Sequence, residues 1–181
     1  LCQSMHQAGS LYRKYFKSPY QRILAGSAIY IVLTLIFQSR LYNGGGLHLI
    51  ERCFEGERVP YYAFLVKILF TAVALGSGFK GGEIVPTLCV GATFGYTMAA
   101  LLGMPPGLCA AVGMVCLFVS VTNCPISTMF MAFELFGFEA MPFFSLGVAI
   151  SFTLSGYYGL YHSQKFVYSK IRTEYIDRKS N

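Results

Sequence analysis

Apolar runs alternate with short polar, glycine or proline breaks along almost the whole chain. Ile23–Phe37, Phe64–Leu75, Thr87–Leu102, Leu108–Val121, Ile126–Leu135 and Met141–Ser155 are each nearly free of charge. Period-2 alternation, the mark of barrel strands, is absent, so the runs predict helices. Crossing a bilayer takes about 20 residues. Tyr20–Leu41 and Ile84–Leu102 meet that length, whereas Leu108–Val121 only just does and Ile126–Leu135 does not. Leu1–Lys17 reads as the end of an amphipathic helix begun upstream and closed by Ser18-Pro19. Leu47–Cys53 reads as a short helix after the breaker Asn43-Gly44-Gly45-Gly46, and Pro60–Leu75 as a span carrying Lys67. Lys165–Lys179, within a final segment 162–181, reads as a polar helix running to the cytoplasm.

The sharpest interruption is Gly76-Ser77-Gly78-Phe79-Lys80-Gly81-Gly82-Glu83-Ile84-Val85-Pro86. Glycine lets a backbone leave helical geometry, and proline near a helix start is preorganised for the first turn. A break followed by a helix opening near Glu83 is expected. The first amides of a helix lack intrahelical partners and carry the positive end of its dipole, so such an end attracts anions. A glycine-rich loop between two spans is the plainer reading. Gly91 and Gly95, four apart, share one face and predict close packing on another helix. Thr122 or Asn123 is expected to cap a helix whose first turn holds Pro125.

Composition narrows the class. Of 181 residues, 55% are hydrophobic and 12% charged, about half the charge of an ordinary soluble domain. The expected fold is an all-α polytopic membrane protein with short, tilted and broken helices. Irregular backbone at membrane depth is tolerated only where protein covers it or an aqueous path runs beside it, which favours a transporter or channel over an anchor. The net charge of +6 gathers at the two ends and places them on the cytoplasmic side. A nucleic-acid role is not expected of basic ends on a membrane chain. Six cysteines show no CxxC pair, and His6, His48 and His162 are far apart, so buried thiols and no metal site are expected. Glu134, a carboxylate within apolar sequence, is a candidate functional group or an interfacial one. The chain does not begin with Met, and it reads as a piece of a longer protein.

Four segments, in order, resemble the CLC family of chloride channels and transporters. Gly44-Gly45-Gly46-Leu47-His48-Leu49-Ile50 is similar to its glycine-rich segment ending in a short helix. Gly76–Pro86 with Gly91-Ala92 resembles its GSGxPGGxFxPxLxxGA signature. Thr122–Gly137, TNCPISTMFMAFELFG, resembles TRAPLTAIVLVFELTG, and Gly159-Leu160-Tyr161 resembles its PLY. The resemblance covers residues 1–181 as the C-terminal half of a subunit, the second of two inverted repeats.

It implies passive or proton-coupled transport of chloride or a related halide, with no enzymatic activity and no cofactor. It implies an anion held by the amides of Glu83 and Ile84 and by the Tyr161 hydroxyl, with Gly81, Gly82 and Pro86 shaping the pore. It also implies a homodimer in the bilayer of the cell membrane, joined partly through Ile126–Leu135 and Met141–Ser155, and a required N-terminal half carrying the gating glutamate. Lys67 aligns with a basic position in some relatives, where a packing or ion-pair role is expected. Lys80 replaces the family's usual proline, and Glu83-Ile84 replaces a small or aliphatic residue and Phe. The GGExxP variant resembles the branch that includes fluoride/proton antiporters. A dimerising scaffold that transports nothing is the alternative from another class, and the permease domain of a multisubunit pump is a third.

Overall fold

The computed structural model describes residues 1–16, 18–160, 164–170, 172 and 174–179. Their order is α1 (Cys2–Tyr15), α2 (Pro19–Phe37), α3 (Leu47–Glu55), α4 (Ala63–Gly76), α5 (Ile84–Leu102), α6 (Pro106–Thr122), α7 (Pro125–Phe136), α8 (Met141–Leu154), β1 (Lys165–Tyr168) and β2 (Tyr175–Lys179). The punctuation explains most boundaries. Pro19, Pro106, Pro125 and Pro142 each lie at the first or second position of a helix, where the missing N–H costs nothing. Gln38, Gly56, Gly103 and Asn123 end helices in the left-handed conformation. Among the described residues two helices, α2 and α5, are long and apolar enough to cross a membrane, and α4, α6, α7 and α8 are shorter apolar helices.

The centre of the fold is the pair α5 and α6. Gly91 and Gly95 lie against Gly113 and the Cys109–Ala110 backbone, with no room for a side chain between them. The close-packing face expected from their spacing is therefore present. One side of the pair is covered by α3, whose Leu49, Ile50 and Cys53 join Val66, Phe70, Cys89, Ala92 and Met114 in one core. On the other side α8 packs through Phe144 and Val148 against Ala111, Val115 and Val119, with Ala132 of α7. α1 runs along α4, where Gly76 meets the backbone of Ala8 and Gly9. Helix α2 leans on α4, and its Gly26 fits against Ser77. Tyr30, Leu33 and Phe37 of α2 also face the core, while Ile31, Val32, Leu35 and Ile36 point outward.

The C-terminal segment departs from expectation. Lys165–Tyr168 and Tyr175–Lys179 form an antiparallel pair instead of a helix, with Phe166 opposite Arg178 and Tyr168 opposite Tyr175. Phe166, Val167, Tyr168, Tyr175 and Ile176 are aromatic or β-branched and suit a strand better than a helix. The Ser169 N–H closes the turn onto the Glu174 carbonyl at 2.9 Å. The pair is pinned to the helices from three points. Gln164 Nε2 donates to the Thr122 carbonyl at 2.9 Å, and the Tyr157 hydroxyl lies 2.9 Å from Ser169 Oγ. Lys170 Nζ donates to Asn123 Oδ1 and to Ser155 Oγ, beneath the Phe152 ring. Burial among these groups pushes the Lys170 amine down to about 8.

Asn123 also corrects an expectation. It ends α6 at φ 57° and does not cap α7, whose N-cap is Cys124. Its Nδ2 donates to the Tyr158 carbonyl at 2.9 Å, tying the α6–α7 break to the loop after α8. Thr122 is the last residue of α6, with its hydroxyl bonded back to Phe118. Asparagine tolerates the left-handed region that a β-branched neighbour does not.

Candidate functional site

The glycine-rich break lies between α4 and α5, as expected. α4 ends at Gly76, and Ser77 closes it with Oγ donating to the Ala74 carbonyl at 2.8 Å. Ser77 is buried against Gly26, which is a packing role. Gly78 then takes φ +100°, a value open to glycine and strained for other residues, and Phe79–Gly82 run on without regular structure. Lys80, Gly81 and Gly82 are exposed, and Gly82 has open space where a Cβ would stand.

α5 begins at Ile84 with Glu83 as its N-cap. The Glu83 carbonyl accepts from the Thr87 N–H at 3.3 Å and from Thr87 Oγ1 at 2.8 Å. Pro86 and Thr87 are buried and seat the first turn, while Ile84 is 40% exposed. Among the described residues no backbone carbonyl accepts from the Ile84 or Val85 N–H. Those donors stand at the positive end of a helix of 19 residues. Hydrogen-bond donors without formal charge hold an anion weakly enough to release it, as conduction requires.

A cavity of about 410 Å³ adjoins this turn. Its lining includes Gly81, Gly82, Val85 and Pro86, with Tyr42, Gly44 and Gly45 from the turn before α3 and Tyr30, Phe70, Thr71 and Phe79. The structure thus brings the pore-shaping candidates Gly81, Gly82 and Pro86 to one cavity wall, and sets Glu83 and Ile84 at the adjoining helix start. Tyr161, the other donor expected, lies outside the described residues, as do His162 and Lys17. Its neighbour Leu160 donates its N–H to the Val121 carbonyl at 2.9 Å and packs in a cluster with Ala72 and Leu75. Leu75 lies 3.7 Å from the Cβ position of Gly81.

Lys67 is fully buried, and its partners are carbonyl oxygens, not a carboxylate: Tyr42 at 2.9 Å and Gly44 at 2.6 Å. Of the packing or ion-pair role expected, the packing part is seen; among the described residues no carboxylate pairs with Lys67. The signal was a cation inside an apolar run, but its partners lie in a different segment. Glu134 is exposed on α7, in keeping with the interfacial reading. The cysteines are unpaired; Cys2, Cys53, Cys89 and Cys109 are buried and Cys124 is exposed. No cluster of metal-ligating side chains occurs among the described residues.

Short apolar helices around a glycine-rich break, with an apolar helix opening directly after it, define a polytopic membrane protein of the broken-helix class. The chain belongs to the voltage-gated chloride channel family, whose model matches residues 1–156. It is 41% identical over 129 residues to the chloride/fluoride channel protein of Pseudomonas syringae pv. tomato, covering 71% of this chain and 28% of that protein. It is 32% identical over 113 residues to the H(+)/Cl(-) exchange transporter ClcA of Vibrio vulnificus, covering 57% of this chain and 24% of that one. Among solved structures it resembles a CLC-type fluoride/proton antiporter, with a TM-score of 0.85, 29% identity, and coverage of 88% of this chain and 40% of that one. The chain thus spans about a quarter of the length of these two curated relatives.

Proposed function

We propose that this chain supplies the second-repeat half of an anion pathway, carrying chloride or a related halide across a cell membrane. The observation that carries the reading is the start of α5. Its Ile84 and Val85 amides have no backbone acceptor among the described residues, and they follow a glycine-rich break beside a cavity. In this reading the Glu83 and Ile84 amides and the Tyr161 hydroxyl hold the ion, Gly81, Gly82 and Pro86 shape its path, and the helix dipole adds a diffuse positive field. The other repeat, which the chain needs for transport, supplies the rest of the site.

Fluoride is a second candidate ion, with protons moving in the opposite sense. Similarity to a chloride/fluoride channel protein and to a fluoride/proton antiporter structure supports it, as does a carboxylate at position 83 beside the proposed ion. Ile126, Phe130, Leu146 and Ile150 are exposed on α7 and α8, which supports homodimerisation through that face within the bilayer. No cofactor and no enzymatic step enter the mechanism.

The test is flux from liposomes holding the full-length protein, with chloride or fluoride inside and a pH electrode outside. Tyr161→Phe should cut flux and weaken halide binding by calorimetry about tenfold. Unchanged halide affinity in that variant would sink the assignment. Proton movement that follows the halide gradient marks an antiporter, and its absence marks a channel.

A further inference from the structure

Lys67 is fully buried in α4, yet no carboxylate lies within ion-pair distance of it among the described residues. Holding a cation in such a place is costly unless neighbouring groups compensate. The compensation comes from Tyr42 and Gly44, whose carbonyl oxygens both accept from Nζ. These carbonyls belong to the turn that leads into α3. The Gly44 N–H donates in turn to the Tyr30 hydroxyl at 3.1 Å.

The same turn is pressed against α5. A Cβ on Gly45 would stand 3.0 Å from Val85 Cγ1, and one on Gly46 would stand 2.6 Å from Cys89 Sγ and 3.0 Å from Lys67 Cε. Val85 and Cys89 occupy the first two turns of α5. Lys67 therefore clamps a turn that touches the start of the anion-facing helix. Tyr42, Gly44 and Gly45 also line the cavity that Gly81 and Gly82 line from the other side. Carbonyl oxygens turned into such a cavity repel a halide and attract a cation. Drawn onto an ammonium, they leave the wall with a net positive field.

We propose that Lys67 is a positioning residue for the halide pathway: it takes up the Tyr42 and Gly44 carbonyls, holds their turn against α5, and sets a positive charge behind the cavity wall. The inference rests on the anion reading above, and it assigns a role to a residue that touches neither the ion nor the helix start.

The experiment compares wild type, Lys67→Arg and Lys67→Met in the full-length protein. Chloride and fluoride binding are measured by calorimetry, and thermal unfolding is followed with and without each halide. Lys67→Met should weaken halide binding at least tenfold and abolish the halide-dependent rise in Tm, while Lys67→Arg keeps affinity within about threefold. A merely structural lysine gives another result: Tm falls by the same amount with and without halide, and affinity is unchanged, which overturns the inference. If Lys67→Met does not fold, Tyr30→Phe frees Gly44 without removing a buried charge. A several-fold loss of affinity there supports the inference and unchanged affinity overturns it. Wild-type protein that binds neither halide would instead overturn the anion reading itself.

Discussion

Gly91 and Gly113 face one another across the α5–α6 crossing with no space between them. A Cβ on Gly91 would stand 2.6 Å from the Gly113 carbonyl oxygen, and a Cβ on Gly113 would stand 2.5 Å from the Gly91 carbonyl oxygen. Both obstacles are backbone, so neither can rotate away. Gly91→Ala or Gly113→Ala must push two helices apart along their whole contact. Overpacking of this kind costs about 1–3 kcal/mol, and helix-on-helix backbone contact places it at the upper end. Chemical unfolding in detergent should register that loss. Gly82→Ala, where the Cβ meets nothing, should unfold like wild type. Equal stability of the three variants would refute the packing account.

A second prediction concerns the aromatic cluster behind the cavity. Phe70 is 1% exposed and meets Tyr30 edge-on at 5.2 Å, with Phe37 and Tyr42 each at 6.0 Å. Phe70→Ala removes the ring that these three share and should cost about 3–5 kcal/mol. Phe70→Leu keeps most of the volume and should cost well under half of that. The two are distinguished by their unfolding midpoints.

The docked C-terminal strands should respond to alkaline pH through Lys170. Its amine sits at about 8 in the folded chain and at 10.5 when free. Between those values the unfolded chain holds the extra proton, so stability rises as pH climbs from about 8 towards 10.5. Below that window both states are protonated and the unfavourable burial of charge is felt in full. Hydrogen exchange at Phe166 and Val167 should slow across the window beyond the intrinsic pH effect. Lys170→Met should remove that dependence. A pH response that survives the substitution would assign it elsewhere.

The sequence made the membrane helices legible because proline and glycine mark their ends. Pro106 and Pro125 open α6 and α7, and Gly103 closes α5, within a residue or two of where the apolar runs predict. The break before α5 was legible for the same reason. What remained hidden depends on partners remote in sequence. Lys67 stands out as a cation in an apolar run, but its carbonyl acceptors lie 25 and 23 residues earlier. Asn123 ends α6 in a left-handed conformation, and it is held there by Tyr158 and Lys170, 35 and 47 residues on. Residues 165–179 carry charges at spacings that suit an amphipathic helix. Their aromatic and β-branched residues pair as strands once Tyr157 and Asn123 offer a place to dock.

In the proposed site the Glu83 carboxylate would stand beside the ion. As the N-cap of α5, its carboxylate adds favourably to the helix dipole by about 0.3–1 kcal/mol. The same negative charge repels a halide drawn to the Ile84 amide beside it. At the effective dielectric of a partly exposed site, one like charge a few ångströms away costs on the order of 1 kcal/mol or more. Glu83→Gln removes the charge and keeps the length of the side chain. It should tighten chloride binding roughly fivefold, while the loss of dipole complement costs a few tenths of a kcal/mol in stability. If Glu83 also carries the exchanged proton, Glu83→Gln leaves halide flux that no longer moves protons. Calorimetry, with flux measured under a pH gradient, separates these outcomes. Halide affinity that is unchanged or weaker in Glu83→Gln would remove Glu83 from the ion's surroundings.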